Sequence, residues 1–272
     1  MKCPLLLMLL LCVSLSRIHA QEVATTDGQV FHSKGLRRVG SNIMVKVITP
    51  EGSTIEMGIS PARITKVTFP EPPELAKALT AASSGNTTEV LALTGDYLSK
   101  ESELKDLPGS WWPEMARLRL LSLAASGNDA DASALAREIG SLKSPEADSL
   151  SRGGTLFASL PSGEREAVII GAGSLPKIGG GQGSALAQLA LGRALLLKKD
   201  YPGALRSFLT IKVFYPSITL LQPSALLGAA HAYIGLKDER RAAESLNDLI
   251  ESYPLSPLVP EAKKVAETIS KS

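Results

Sequence analysis

The chain has 272 residues, 44% of them hydrophobic but only 4% aromatic, with 29 basic residues against 27 acidic ones. That length supports one large domain or two modest ones, with a core drawn mainly from Leu, Ala, Val and Ile. The even charge balance, without a basic stripe, argues against general nucleic-acid binding, and past the first twenty residues no apolar run is long enough to span a bilayer.

Residues 1–20 read as a secretory leader. Lys2 provides the positive start, residues 4–15 are almost wholly apolar, and Ser16 to Ala20 supplies a cleavage region. Removing the leader takes away Lys2 and Arg17 and leaves 27 basic against 27 acidic residues. Both cysteines, Cys3 and Cys12, go with it, so the mature chain is expected to hold no disulfide and no thiolate. Leu11, rather than a small residue, precedes Cys12 and speaks against lipidation. The expected location is the periplasm, with the extracellular space as the alternative.

Residues 21–70 alternate apolar and polar side chains, most clearly around Val30, Ile43 to Ile48, Thr54 to Ile59 and Ile64 to Phe69. Gly28, Gly40 and Gly52 mark turns. Four or five short strands imply a small β-rich module, a curled sheet or barrel of SH3-like or Sm-like type. Arg37 and Arg38 are its most basic spot and read as a solvated strand face, since no aromatics interleave with them. Pro70, Pro72 and Pro73 then end the strand pattern and place the boundary.

Helical periodicity begins at Glu74. Leu75, Ala78, Leu79 and Ala82 form one stripe, and Val90, Leu91, Leu93, Tyr97 and Leu98 the next, with Ser84-Gly85-Asn86 between them. Ser126-Gly127-Asn128 repeats that interruption 42 residues on, between stripes at Met115 to Ala125 and Ala132 to Leu142. Pro113 suits a first helical turn, and one of Trp111 and Trp112 is expected to pack, the alternative being a solvent-facing contact site. Another helix is expected over 164–172. The run from Ile178 to Gly183 is glycine-dense, but Ser184-Ala185 follows where a phosphate loop needs Lys-Ser or Lys-Thr. It is expected to be a flexible joint.

Two copies of one pattern, 38 residues apart, occupy residues 184–272. Gly192, Ala204, Phe208 and Pro216 in the first correspond to Ala230, Ala242, Leu246 and Pro254 in the second. Each copy reads as two helices that approach through small residues and stop at a proline, and neither buries its apolar face alone. This segment resembles tetratricopeptide repeats, and the Tyr253-Pro254 region is similar to repeat ends of exported bacterial members, among them periplasmic factors of envelope assembly and of the Tol–Pal division system. With the β module, the expected fold class is α+β, mostly α: a small N-terminal β-barrel-like module followed by what the resemblance implies, an α-α superhelix of hairpins. These are degenerate over 74–177, with two clear repeats and a capping helix over 184–272. The four extra residues of the unit are assigned to the loop around 217–223.

The resemblance further implies a concave face lined by the first helix of each repeat. By position, Leu189, Arg193 and Leu196 face it in one copy and Leu227, His231 and Ile234 in the next. Arg193 and His231 would present a donor and a pH-sensitive group to an extended peptide or helix. The alternative is that they are ordinary, partly exposed surface residues.

The functional expectation is a non-catalytic exported scaffold that binds another protein of the envelope, with no cofactor and no metal. The mature chain keeps only His32 and His231, and no HExxH, CxxC or GxSxG occurs. Asp129 and Asp131 read as turn and cap residues, and Glu164 and Glu166 do not share a helical face. The alternatives are a ligand- or polysaccharide-binding protein working through the β module, or an envelope hydrolase without a recognisable motif.

Overall fold

The computed structural model describes residues 21–48, 52–176 and 179–270. The expected leader and the start of the 178–183 run lie outside them. The described residues divide into two compact units, residues 21–70 with Leu107–Gly109, and residues 71–106 with 110–270.

The first unit is a curled antiparallel sheet of five strands: β1 (Gln21–Thr25), β2 (Val30–Val39), β3 (Asn42–Ile48), β4 (Thr54–Ile59) and β5 (Ile64–Thr68). Their order is β4-β3-β2-β1-β5, so β4 and β5 are the two edges and the sheet stays open. Alternation puts Val23, Ile43, Val45, Ile59, Ile64 and Val67 inward, none more than 5% exposed. The β2–β3 register shifts between Ser33 and Leu36. There the buried Ser33 hydroxyl accepts from the Lys46 and Gly35 amides and donates to the Gly35 carbonyl, replacing ladder bonds lost at the bulge. The Val67 amide donates to the Pro108 carbonyl, which shields the β5 edge. Gly109, at φ +90°, must be glycine, because a Cβ would lie 2.2 Å from the Val67 oxygen. Arg37 pairs with Glu56 at 2.7 Å.

The second unit contains eleven α-helices: α1 (Leu75–Ser83), α2 (Thr87–Lys100), α3 (Trp112–Ala125), α4 (Asp129–Gly140), α5 (Pro145–Thr155), α6 (Arg165–Gly173), α7 (Gly181–Leu197), α8 (Tyr201–Phe214), α9 (Gln222–Gly235), α10 (Glu239–Ser252) and α11 (Val259–Ile269). One turn closes four hairpins: α1–α2, α3–α4, α7–α8 and α9–α10. Its left-handed residue is Gly85, Gly127, Lys199 or Lys237, at φ of 68°, 77°, 61° and 61°. In each, that residue's amide and the next one reach back to two carbonyls of the finished helix. Gly85 bonds Ala82 and Asn86 bonds Ala81, while Lys237 bonds Ile234 and Asp238 bonds Tyr233. The following residue starts the second helix, and Asn86, Asp200 and Asp238 each accept a backbone N–H three residues on. The Arg241 guanidinium bonded to Asp238 holds its carboxyl below the usual range.

Within the unit, α2 packs on α3, α4 on α5, α8 on α9 and α10 on α11. Through α5, α6 and α7 the pattern changes, because α5 packs directly on α7 and α6 does so too. Within the glycine run, Gly181 to Gly183 are helical and open α7. A Cβ on Gly183 would lie 2.0 Å from the Ser149 oxygen, and one on Gly153 would lie 2.1 Å from the Gly183 oxygen. Glycine lets the two backbones touch. One core runs from Leu75 to Ala242 without a break. The α8–α9 connector fills its centre. Leu220 and Leu221 are at most 2% exposed, the Thr219 hydroxyl donates to the Ala82 carbonyl at 2.6 Å, and the 3-10 turn Thr219–Leu221 packs on α1 and α3.

Candidate functional site

The six residues expected on a concave face divide between core and surface. Leu189 is fully buried and Leu227 is 7% exposed, so both side chains serve the core. Leu196 is partly buried against the same core. Only His231 and Ile234 keep substantial exposure, each about a third of the side chain or more. His231 Nε2 lies 3.7 Å from Glu261 Oε1, a contact that becomes an ion pair when the ring is protonated. The connector between α8 and α9 packs on α1, α3, α7 and α9 and buries Ile218, Leu220 and Leu221, which closes the face on which the six were expected.

Arg193 is a tie between elements. Its guanidinium bonds Asp129 Oδ1 at 3.1 Å, the Ala125 carbonyl at 3.2 Å and the Ser224 hydroxyl at 3.1 Å, and it lies 5.6 Å from the centre of the Phe157 ring. It thereby joins α7 to the α3–α4 turn, to α9 and to the segment after α5. Burial lowers the pKa of the guanidinium and raises that of Asp129, and the pairing opposes both shifts. Asp129, expected as a turn residue, is in fact the counter-ion of Arg193. Nothing local in the sequence announces a partner 64 positions away.

Two glycines flank one ring. Phe208, 1% exposed, lies between α7 and α9: a Cβ on Gly192 would be 2.7 Å from the ring, and one on Gly228 would be 2.4 Å from it. Ala204, Ala230, Ala242 and Leu246 are completely buried, whereas Pro216 and Pro254 stand exposed at the hairpin ends.

Accessible surface features include a turn edge and a cleft. At the turn edge of α7–α8 and α9–α10, Leu197, Ile234 and Leu236 are 53%, 37% and 41% exposed. The two turns touch, since a Cβ on Gly235 would lie 2.3 Å from the Tyr201 ring. The other feature is a cleft of about 470 Å³ between α2 and α4, floored by α3. Trp112, Leu98 and Leu123 form its apolar base, and Arg119, Asp131 and Glu138 its charged wall. No motif announces this cleft, although two residues bear its trace: Gly95 in the middle of the α2 pattern and Arg119 inside the apolar α3 stripe.

Among the described residues no group of three or more His, Cys, Asp or Glu side chains is placed to hold a metal ion, and no helix is long and apolar enough to cross a membrane. Comparison with family models, with curated proteins and with solved structures finds no match to this chain.

Proposed function

We propose that this chain is an exported, non-catalytic scaffold of tetratricopeptide-like hairpins, preceded by an SH3- or Sm-like module, that holds another protein of the envelope. The recurrence of one hairpin turn carries this reading. Four times, a left-handed residue is followed by an Asn or Asp at the next helix start, and the last two copies lie 38 residues apart with matching φ. Repeats of this kind serve function mainly through the surface that their stacking creates.

The inner side is filled, so the partner is assigned to the turn edge, where Leu197, Ile234 and Leu236 stand exposed beside His231. Apolar anchors at such an edge bind by burial, with Lys198 and Lys237 as the polar rim. The test immobilises mature protein, residues 21–272, and a Leu197→Asp/Leu236→Asp variant over envelope extract. A protein retained by the first and lost from the second, then shown to bind in purified form, supports the reading. Identical capture profiles, or a substrate turned over by the purified chain, overturn it.

A further inference from the structure

The cleft between α2 and α4 is distinct from the turn edge, and two hydrogen bonds set its frame. The Ser126 hydroxyl donates to Thr87 Oγ1 at 2.9 Å where both helices begin, and Trp112 Nε1 donates to the Leu98 carbonyl at 3.1 Å near the far end of α2. So α2 and α4 run side by side over α3, which runs the other way. The volume of about 470 Å³ falls within the ~300–1,000 Å³ typical of small-molecule sites. Along α4 the wall extends from Asp131 to Glu138, roughly 10 Å of helix, about the length of an extended tripeptide.

The charges inside are unevenly spent. Glu138 is occupied by Lys105 at 2.6 Å, and Lys105 also lies 5.3 Å from the centre of the Trp112 ring, so that end of the cleft is neutralised. Arg119 uses Nη1 on the Leu91 carbonyl at 2.8 Å, which orients the guanidinium, while its Nε and Nη2 have no partner among the described residues. Gly95 allows this pose, because a Cβ there would press on Nη1 at 3.2 Å. Asp131 forms no ion pair and no hydrogen bond among the described residues. The Ser99 and Ser102 hydroxyls donate to the Gly95 and Ser99 carbonyls, which leaves their oxygens free to accept. The cleft thus offers one oriented cation, one unpaired carboxylate, spare acceptors and an apolar floor.

We propose that this cleft binds a short zwitterionic peptide, two or three residues long with an apolar side chain. Its carboxylate sits on Arg119, its ammonium on Asp131, and its side chain against Leu135, the half-buried leucine of the wall. The charge set decides among ligand classes. A nucleotide needs more cations than one arginine, and a dicarboxylate meets Asp131. A sugar needs an open aromatic face, but Trp112 is only 1% exposed.

Trp112 lines this cleft and is one of the two tryptophans of the chain, so intrinsic emission carries a signal from it. Mature protein is titrated with the tripeptide Ala-Leu-Ala, with its N-acetylated and C-amidated forms, and with the doubly blocked form. The free peptide is expected to give a saturable change, and each block to weaken binding by about tenfold, the loss of one charge-assisted contact. Arg119→Gln removes the preference for a free carboxylate alone, and Asp131→Asn that for a free ammonium alone. Asp131 is exposed and unpaired, so its variant retains the fold even if the Arg119 variant does not. No saturable change up to about 10 mM, or equal binding of the blocked peptides, overturns the proposal. The readout requires no protein partner, so it stands or falls apart from the scaffold reading.

Discussion

Phe208 shows how single residues hold the helical unit together. Its ring occupies space that two glycines on opposite neighbours, Gly192 and Gly228, leave open. Phe208→Ala removes a fully buried aromatic side chain and is expected to cost about 3–5 kcal/mol. Gly228→Ala acts oppositely, forcing a methyl group against a ring with nowhere to go, and is expected to cost about 1–3 kcal/mol. The informative variant is the double one. Gly228→Ala with Phe208→Leu should cost less than the sum of Gly228→Ala and Phe208→Leu made singly, because the smaller side chain admits the methyl group. Urea denaturation of the four proteins checks this; strict additivity would mean that the ring and Gly228 do not compete for one space. The Gly192 side of this arrangement is legible in the sequence, since a small residue followed sixteen positions later by a large apolar one is the pattern of two helices in close approach. Gly228 is not, because the first copy has Ala190 at that position and the period hides the difference.

At the scale of elements, the sequence is most legible where local chemistry decides. Ser84-Gly85-Asn86 and Ser126-Gly127-Asn128 read as helix ends because glycine enters the left-handed region without steric cost and asparagine is favoured at the next helix start, where Asn86 makes the side-chain cap and Asn128 does not. Lys199 and Lys237 make the same turn without glycine, which the sequence shows only through the Asp after each. Strand β1 is short and has a partner on both sides, a property of pairing rather than of its five residues. Long-range ties are the least legible, and Arg193 is the main one. Arg193→Ala leaves Asp129 without its counter-ion in a partly buried place, and is expected to cost about 3 kcal/mol. Replacing Asp129 by Asn in the same chain should recover part of that loss, since the neutral amide carries no unpaired charge. Thermal unfolding of the single and double variants gives the answer; no recovery would place the cost of losing Arg193 in its bonds to Ala125 and Ser224 instead.

For the helical unit as a whole, the decisive feature is where the connector between α8 and α9 goes. In an open array, a longer connector would extend outward and each hairpin would depend only on its neighbours. Here the connector turns inward, and Thr219, Leu220 and Leu221 contact helices about a hundred positions earlier or more. Gly85 likewise lies against Pro223 and Tyr253, joining the first hairpin turn to the start of α9 and the end of α10. The two groups of hairpins therefore share one core rather than adding their separate stabilities. Residues 71–177 alone would leave Leu118 and Leu121 without Leu220 beside them, and α5 and α6 without α7. That fragment is expected to lack cooperative unfolding, whereas residues 21–272 are expected to lose the helical unit in a single transition. Circular dichroism of both under increasing urea tests this. Hydrogen exchange sharpens the result, because one shared core predicts that the slowest amides of α3 and of α7 open with the same free energy. If the fragment unfolds cooperatively on its own, the hairpins are additive neighbours and the inward connector is incidental to their stability.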